Sequence, residues 1–125
     1  MIKKKLISVL ITNYNKSRFL RKSLKHICNQ NFRDYEIILY DDASSDNSIK
    51  IIKRFKKVRL IENKLKIKRS GPLNQINGIL EAFKISKGNI ICLMDADDFF
   101  NKSKLKKIND VFKNNTRIQS LFDFP

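Results

Sequence analysis

The sequence predicts an α/β fold: an open, doubly wound, mostly parallel sheet flanked by helices. Apolar runs at residues 6–11, 37–40 and 90–94 are rich in Ile, Leu and Val without strict alternation, as strands covered on both faces are. Between them the apolar spacing follows the helical period of about 3.6 residues. Strands alternating with helices, joined by right-handed crossovers, lead to this architecture.

The first run follows a basic stretch at residues 1–5 and is too short for a signal sequence. In the next helix Phe19, Leu20, Ser23, Leu24, Ile27 and Cys28 share one stripe, with Arg18, Arg21, Lys22 and Lys25 opposite. After the run at 37–40, Asp46 is expected to cap a helix carrying Ile49, Ile51, Ile52 and Phe55. A weaker strand at 58–61 precedes residues 62–71, whose lysines and arginine suggest a mobile basic loop. Pro72 suits a first helical turn, and that helix sets Leu73, Ile76, Leu80 and Phe83 on one apolar face before stopping at Gly88. Beyond the run at 90–94, a helix over 103–114 turns Leu105, Ile108 and Phe112 inward, and an apolar piece follows at 118–122.

At 125 residues the chain suits one domain that buries about two thirds of its unfolded surface. Hydrophobic residues at 42% and charged residues at 31% exclude disordered and membrane-spanning classes, and no segment approaches the roughly 20 apolar residues of a membrane span. The 27 Lys and Arg against 12 Asp and Glu give a formal charge of +15, which attracts phosphates, acidic lipids or nucleic acid. Cys28 and Cys92 form no disulfide framework or zinc spacing, which fits a reducing compartment. One histidine, His26, inside a helical pattern leaves a Ser-His-Asp or Cys-His nucleophile without a base.

Ligands of open α/β sheets bind beyond the carboxyl ends of the strands. There stand Thr12, Asn13, Tyr14 and Asn15, then Asp41 and Asp42, then Asp95, Asp97 and Asp98. Carboxylates crowded at one edge repel and raise one another's pKa unless a positive charge sits among them. Oxygen donors without His or Cys favour Mg²⁺ or Mn²⁺, and such an ion bridges to a substrate phosphate. Neither a GxxxxGK[ST] loop nor a GxGxxG turn is present, so metal and basic side chains, among them Lys68 and Arg69, would take the place of a glycine-rich phosphate cradle. Tyr14 offers a face on which a base can stack, and Asp42 a carboxylate for a base N–H or sugar hydroxyl. Thr12 to Asn15 and Asp41, Asp42 and Asp46 also read as ordinary strand-end, turn and cap residues.

ISVLITNYN, then KSRFLRKSLKHICNQNFRDYEIILYDDASSDNS, then GNIICLMDADD together resemble the amino-terminal half of family 2 glycosyltransferases with the GT-A fold. The likeness runs over about residues 5–112, with the motifs in the family's order. It implies one donor-binding domain over residues 1–125, lacking the acceptor-binding carboxyl-terminal half and its general base, so no catalytic residue is assigned. It implies that Thr12 and Tyr14 contact the nucleotide base, that Asp42 reads it, that Asp95 and Asp97 form the DxD pair holding ribose and metal, and that Arg69 joins the donor site. The reaction implied is inverting, metal-dependent transfer from a nucleotide-diphospho-sugar to a hydroxyl of a saccharide or lipid-linked acceptor, with Mn²⁺ or Mg²⁺ as cofactor. Charge and family habit together suggest cytoplasmic work, with peripheral association at the inner membrane face and no specific nucleic acid.

Two other readings remain open. Asp95 and Asp97 could be nucleophile and acid of a haloacid-dehalogenase-type phosphatase, but Phe99 and Phe100 stand where a Gly-Thr turn is expected. The +15 charge could itself be the function, in a basic nucleic-acid binder or non-catalytic nucleotide-binding module.

Overall fold

The computed structural model describes residues 6–65 and 71–122. Strands β1 (Ile7–Asn13), β2 (Tyr35–Asp42), β3 (Val58–Asn63) and β4 (Ile90–Asp95) form one sheet in the order β3-β2-β1-β4, and every neighbouring pair is parallel. The helices are α1 (Ser17–Cys28), α2 (Ser48–Ile52), α3 (Gly71–Ile85) and α4 (Lys104–Asn114). Because β4 joins the sheet beside β1 rather than β3, the winding reverses there, which makes the carboxyl ends of β1 and β4 the switch point at which open α/β sheets bind ligands.

Successive strand residues point to opposite faces, and the two faces are covered differently. Ile7, Val9 and Ile11, with Ile37, Leu39, Cys92 and Met94, meet Leu20, Leu24 and Ile27 of α1, Ile52 of α2, and Leu105 and Ile108 of α4. This is the main core. Each fully buried Leu or Ile there contributes about 1.5–3 kcal/mol, which fixes which way the strands face. On the other side Leu10 and Ile38 pack with Ala82, Ile79 and Ile85 of α3 and with Ile61.

The third helix forms as expected but turns round. Leu73, Ile76, Leu80 and Phe83 are all more than half exposed, whereas Gly78 and Ala82 face the sheet. A Cβ added at Gly78 would lie 2.7 Å from Tyr40 Cδ1 and 3.0 Å from Thr12 Cγ2. The helix lies so close to the strands that only small residues fit between, and size overrides hydrophobicity in choosing the inward face. β4 departs in the same direction: it alternates buried and exposed, leaving Ile91 and Leu93 uncovered, because it is the outer strand on a face where α3 packs on β1 and β2.

Smaller differences follow from side-chain hydrogen bonds. α2 begins after Asn47 rather than after the expected cap Asp46, which stands one position before the observed cap and still accepts the Ser48 N–H. The apolar piece at 118–122 is irregular, with Leu121 and Phe122 exposed. The basic loop is described only in part, since Lys68 and Arg69 lie outside the described residues.

Candidate functional site

The parallel register sets Thr12 beside Tyr40 on one flank and beside Asp95 on the other, and sets Asn13 beside Asp41 and Asp42 beside Asn63. The alternation of side chains then sorts these residues. Thr12, Tyr40, Asp42 and Asp95 share the parity of Leu10, Ile38 and Leu93 and belong to the α3 face. Asn13 and Asp41 share the parity of the main core.

The main-core pair holds two loops together. Asp41 is 1% exposed and accepts hydrogen bonds from Asn13 Nδ2 at 2.7 Å, Ser44 N at 2.9 Å and Ser44 Oγ at 2.6 Å. Asn15 N donates to Ser44 Oγ at 2.9 Å, and Asn15 Oδ1 accepts the Ser45 N–H at 2.8 Å. Asn15 and Ala43 are the described non-glycine residues with positive φ, at 50° and 54°. These bonds hold the two residues in a sparsely populated conformation. Asp46 accepts the Ser17 N–H at 3.0 Å and the Ser48 N–H at 2.9 Å, joining the starts of α1 and α2. Burial raises the Asp46 carboxyl, but the bonds from Ser48 and Ser17 outweigh it and hold the group below the usual carboxylate range. Among described buried polar side-chain atoms, Asn13 Oδ1 and Ser48 Oγ have no hydrogen-bond partner.

The α3-face residues form the rim. Tyr14, on the loop after β1, is 54% exposed. Asp42 accepts from Asn63 Nδ2 at 2.9 Å. Asp95 accepts from Gln75 Nε2 of α3 at 2.8 Å, and Asn77 Nδ2 donates to Tyr40 Oη at 3.3 Å, so α3 roofs the strand ends with amides. Asp97 pairs with Lys16 at 3.5 Å, joining the loop after β1 to the loop after β4. A turn brings Asp98 back, its carboxylate accepting the Asp95 N–H at 3.3 Å. Burial raises the Asp95 carboxyl above its ordinary range, Asp98 and Asp97 raise it further, and Gln75 and Lys16 oppose without cancelling.

Thr12, Tyr14, Asp42, Asp95 and Asp97 thus stand at one edge of the sheet, and Arg69 lies outside the described residues. Gln75, Lys16 and the Asn13–Asp41–Ser44 cluster were not singled out from sequence as partners. The density of Asn, Asp and Ser in TNYN and DDASSDN signalled the cluster, since these side chains hydrogen-bond nearby backbone. Nothing local signalled Gln75, which arrives from a distant helix. The cysteines are poor nucleophiles: burial pushes Cys92 up to about 11 and also raises Cys28, against the opposing pull of Lys57.

Among the described residues no group of three or more His, Cys, Asp or Glu side chains is arranged to hold a metal ion. A Mg²⁺ or Mn²⁺ ion is compatible with this rim, since such ions are held by one or two carboxylates completed by water and substrate phosphate. The mutual repulsion at Asp95 is the electrostatic condition a cation relieves.

The all-parallel sheet between helices, with a switch point beside β1 and acidic strand ends, has the GT-A fold of the solved glycosyltransferases it resembles. The chain belongs to glycosyl transferase family 2, whose family model matches residues 8–123. It is 34% identical over 109 residues to an uncharacterized glycosyltransferase of Nostoc sp., covering 86% of this chain and 33% of that one. It is 28% identical over 102 residues to the poly(ribitol-phosphate) beta-N-acetylglucosaminyltransferase TarS of Staphylococcus aureus, covering 79% of this chain and 17% of TarS. The crystal structure of TarS 1-349 in complex with UDP matches with a TM-score of 0.77 at 23% identity, over 87% of this chain and 32% of that one. A mannosyltransferase from Pyrobaculum calidifontis in complex with GDP-Man and Mn²⁺ matches with a TM-score of 0.70 at 19% identity, over 88% and 32%. The chain therefore spans a third or less of the length of these relatives.

Proposed function

We propose that this chain is the donor-binding part of an inverting, metal-dependent glycosyltransferase. The observation that carries the reading is the register that sets Thr12 against Asp95 at the switch point, with Asp42 on the same face. The Tyr14 ring stacks on the nucleotide base, and the Thr12 side chain packs beside it. Asp42, oriented by the Asn63 amide, accepts a base N–H. Asp95 and Asp97 would hold the divalent ion, Mn²⁺ or Mg²⁺, and Gln75 fixes the Asp95 carboxylate through one of its oxygens. The ion, when bound, offsets negative charge on the departing diphosphate. Lys16 holds Asp97 beside the loop that follows β1. Arg69 is assigned to the donor phosphates. The acceptor is a saccharide or lipid-linked hydroxyl attacking the anomeric carbon from the face opposite the diphosphate, and no described residue is assigned as the base that takes its proton. The TarS complex with UDP and the Pyrobaculum complex with GDP-Man and Mn²⁺ support this reading.

The test is a thermal-shift screen of nucleotide diphosphates with and without Mn²⁺, repeated on Asp97→Ala. Binding at about 100 times Kd stabilises the folded state by about 2.7 kcal/mol. A rise with one nucleotide that needs metal and is lost in Asp97→Ala is expected. No rise with any nucleotide refutes the proposal.

A further inference from the structure

A groove of about 780 Å³ lies between α1 and the loop that leads from β4 into α4. Its walls carry five cations, Arg18, Arg21, Lys22, Lys25 and Lys102, together with His26, and among the described residues no acidic one lines it. The four from α1 follow helical spacing, so they form one stripe rather than a scatter. α1 contains no acidic residue, and the like-charged pairs Arg18 with Lys22 and Arg21 with Lys25 weaken the helix that bears them. An ordinary solvated helix face would intersperse acids. The opposite wall is held in place: Gln30 Nε2 donates to Asn101 O at 2.8 Å, Gln30 Oε1 accepts the Leu105 N–H at 3.1 Å, and Asn31 N donates to Lys102 O at 2.8 Å. The groove also adjoins the acidic rim, since Lys22 Nζ sits 4.5 Å from the Phe99 ring centroid, two residues beyond Asp97.

We infer that this groove binds the phosphate groups of a phosphodiester-linked chain and so anchors an acceptor of that chemistry beside the donor rim. Arginine and lysine spaced along a fixed concave wall match repeated singly charged oxyanions. A planar bilayer fits less well, because the cations line a groove rather than a flat face and the Phe100 ring in its wall is only partly exposed and carries the Lys104 ammonium 5.4 Å from its centroid. The inference rests on the glycosyl-transfer reading for the word acceptor, but the binding itself requires no donor, so each fails separately.

The experiment titrates the protein, without nucleotide or metal, with a polyol-phosphate polymer, with uncharged dextran and with phosphatidylglycerol vesicles. It compares Arg21→Gln/Lys25→Gln with Lys113→Gln/Arg117→Gln, which removes the same charge from the exposed end of α4 and the exposed segment that follows it. The first pair should weaken polymer binding about tenfold, as loss of two exposed charge contacts implies, and the second less than about twofold. The first pair should leave the melting temperature unchanged or raised, since it removes helix repulsion. Equal loss in both pairs would assign binding to net charge and overturn the inference. So would tighter binding to vesicles than to polymer, or binding to dextran as strong as to polymer.

Discussion

Asp41→Ala tests whether the rim is built on a buried carboxylate rather than on loop sequence alone. The carboxylate accepts three bonds of 2.6–2.9 Å at 1% exposure, so its removal leaves the Ser44 N–H unpaired and Asn13 Nδ2 with only the Ser44 hydroxyl at 3.2 Å. Hydrogen bonds to charged groups contribute about 1.5–3 kcal/mol each, but the bonds are coupled and the carboxylate's own desolvation is recovered, so the net loss is set at about 3 kcal/mol. For a chain of this size each kcal/mol lowers the melting temperature by about 3–5 °C, which predicts a fall of about 10–15 °C. Asp41→Asn keeps an acceptor for the Ser44 N–H but places an amide against Asn13, and should lose about half as much. Thermal and urea unfolding of both variants and of Asn13→Ala completes a double-mutant cycle, in which Asn13 and Asp41 should be coupled by about 1 kcal/mol or more. A loss below about 1 kcal/mol in Asp41→Ala would show that the loops hold their strained residues without it.

Gly78→Val should push α3 off the sheet, because a Cβ there already meets Tyr40 and Thr12; a loss of about 1–3 kcal/mol is expected in denaturant unfolding, with weaker nucleotide binding as Gln75 leaves Asp95. Leu80→Gln should cost less than about 0.5 kcal/mol and Leu24→Ala about 2–5 kcal/mol; the reverse order would return α3 to the face its hydrophobic pattern suggests. The two perturbed carboxylates act with opposite sign in acid. Asp46, lowered on folding, stabilises above its unfolded pKa, and that contribution is lost as pH falls through its folded value; Asp95, raised on folding, stabilises only while protonated and loses that as pH rises through its folded value. Carbon-detected NMR titration should place Asp46 below and Asp95 above the ordinary 3.8, and Asp98→Asn should lower Asp95 while leaving Asp46 in place.

Alternation of apolar strands and periodic helices was enough to specify the α/β order, because burial and period act locally and each element carries its own signature. The acids at the strand ends were legible for a related reason: a carboxylate just beyond an apolar strand of a parallel sheet has one edge on which to stand. The separation of Asp41 from Asp42 onto opposite faces came only with the structure, in which β2 runs two residues past Tyr40. Two further things waited for the tertiary structure. Which face α3 buries depended on the gap between helix and sheet, and at a close approach Gly78 and Ala82 displace Leu80 and Phe83 despite their larger transfer free energy. Which polar groups meet at the rim depended on register: Gln75 reaches Asp95 across 20 residues and Asn13 reaches Asp41 across 28, contacts that no local pattern encodes because they exist only after the strands have paired.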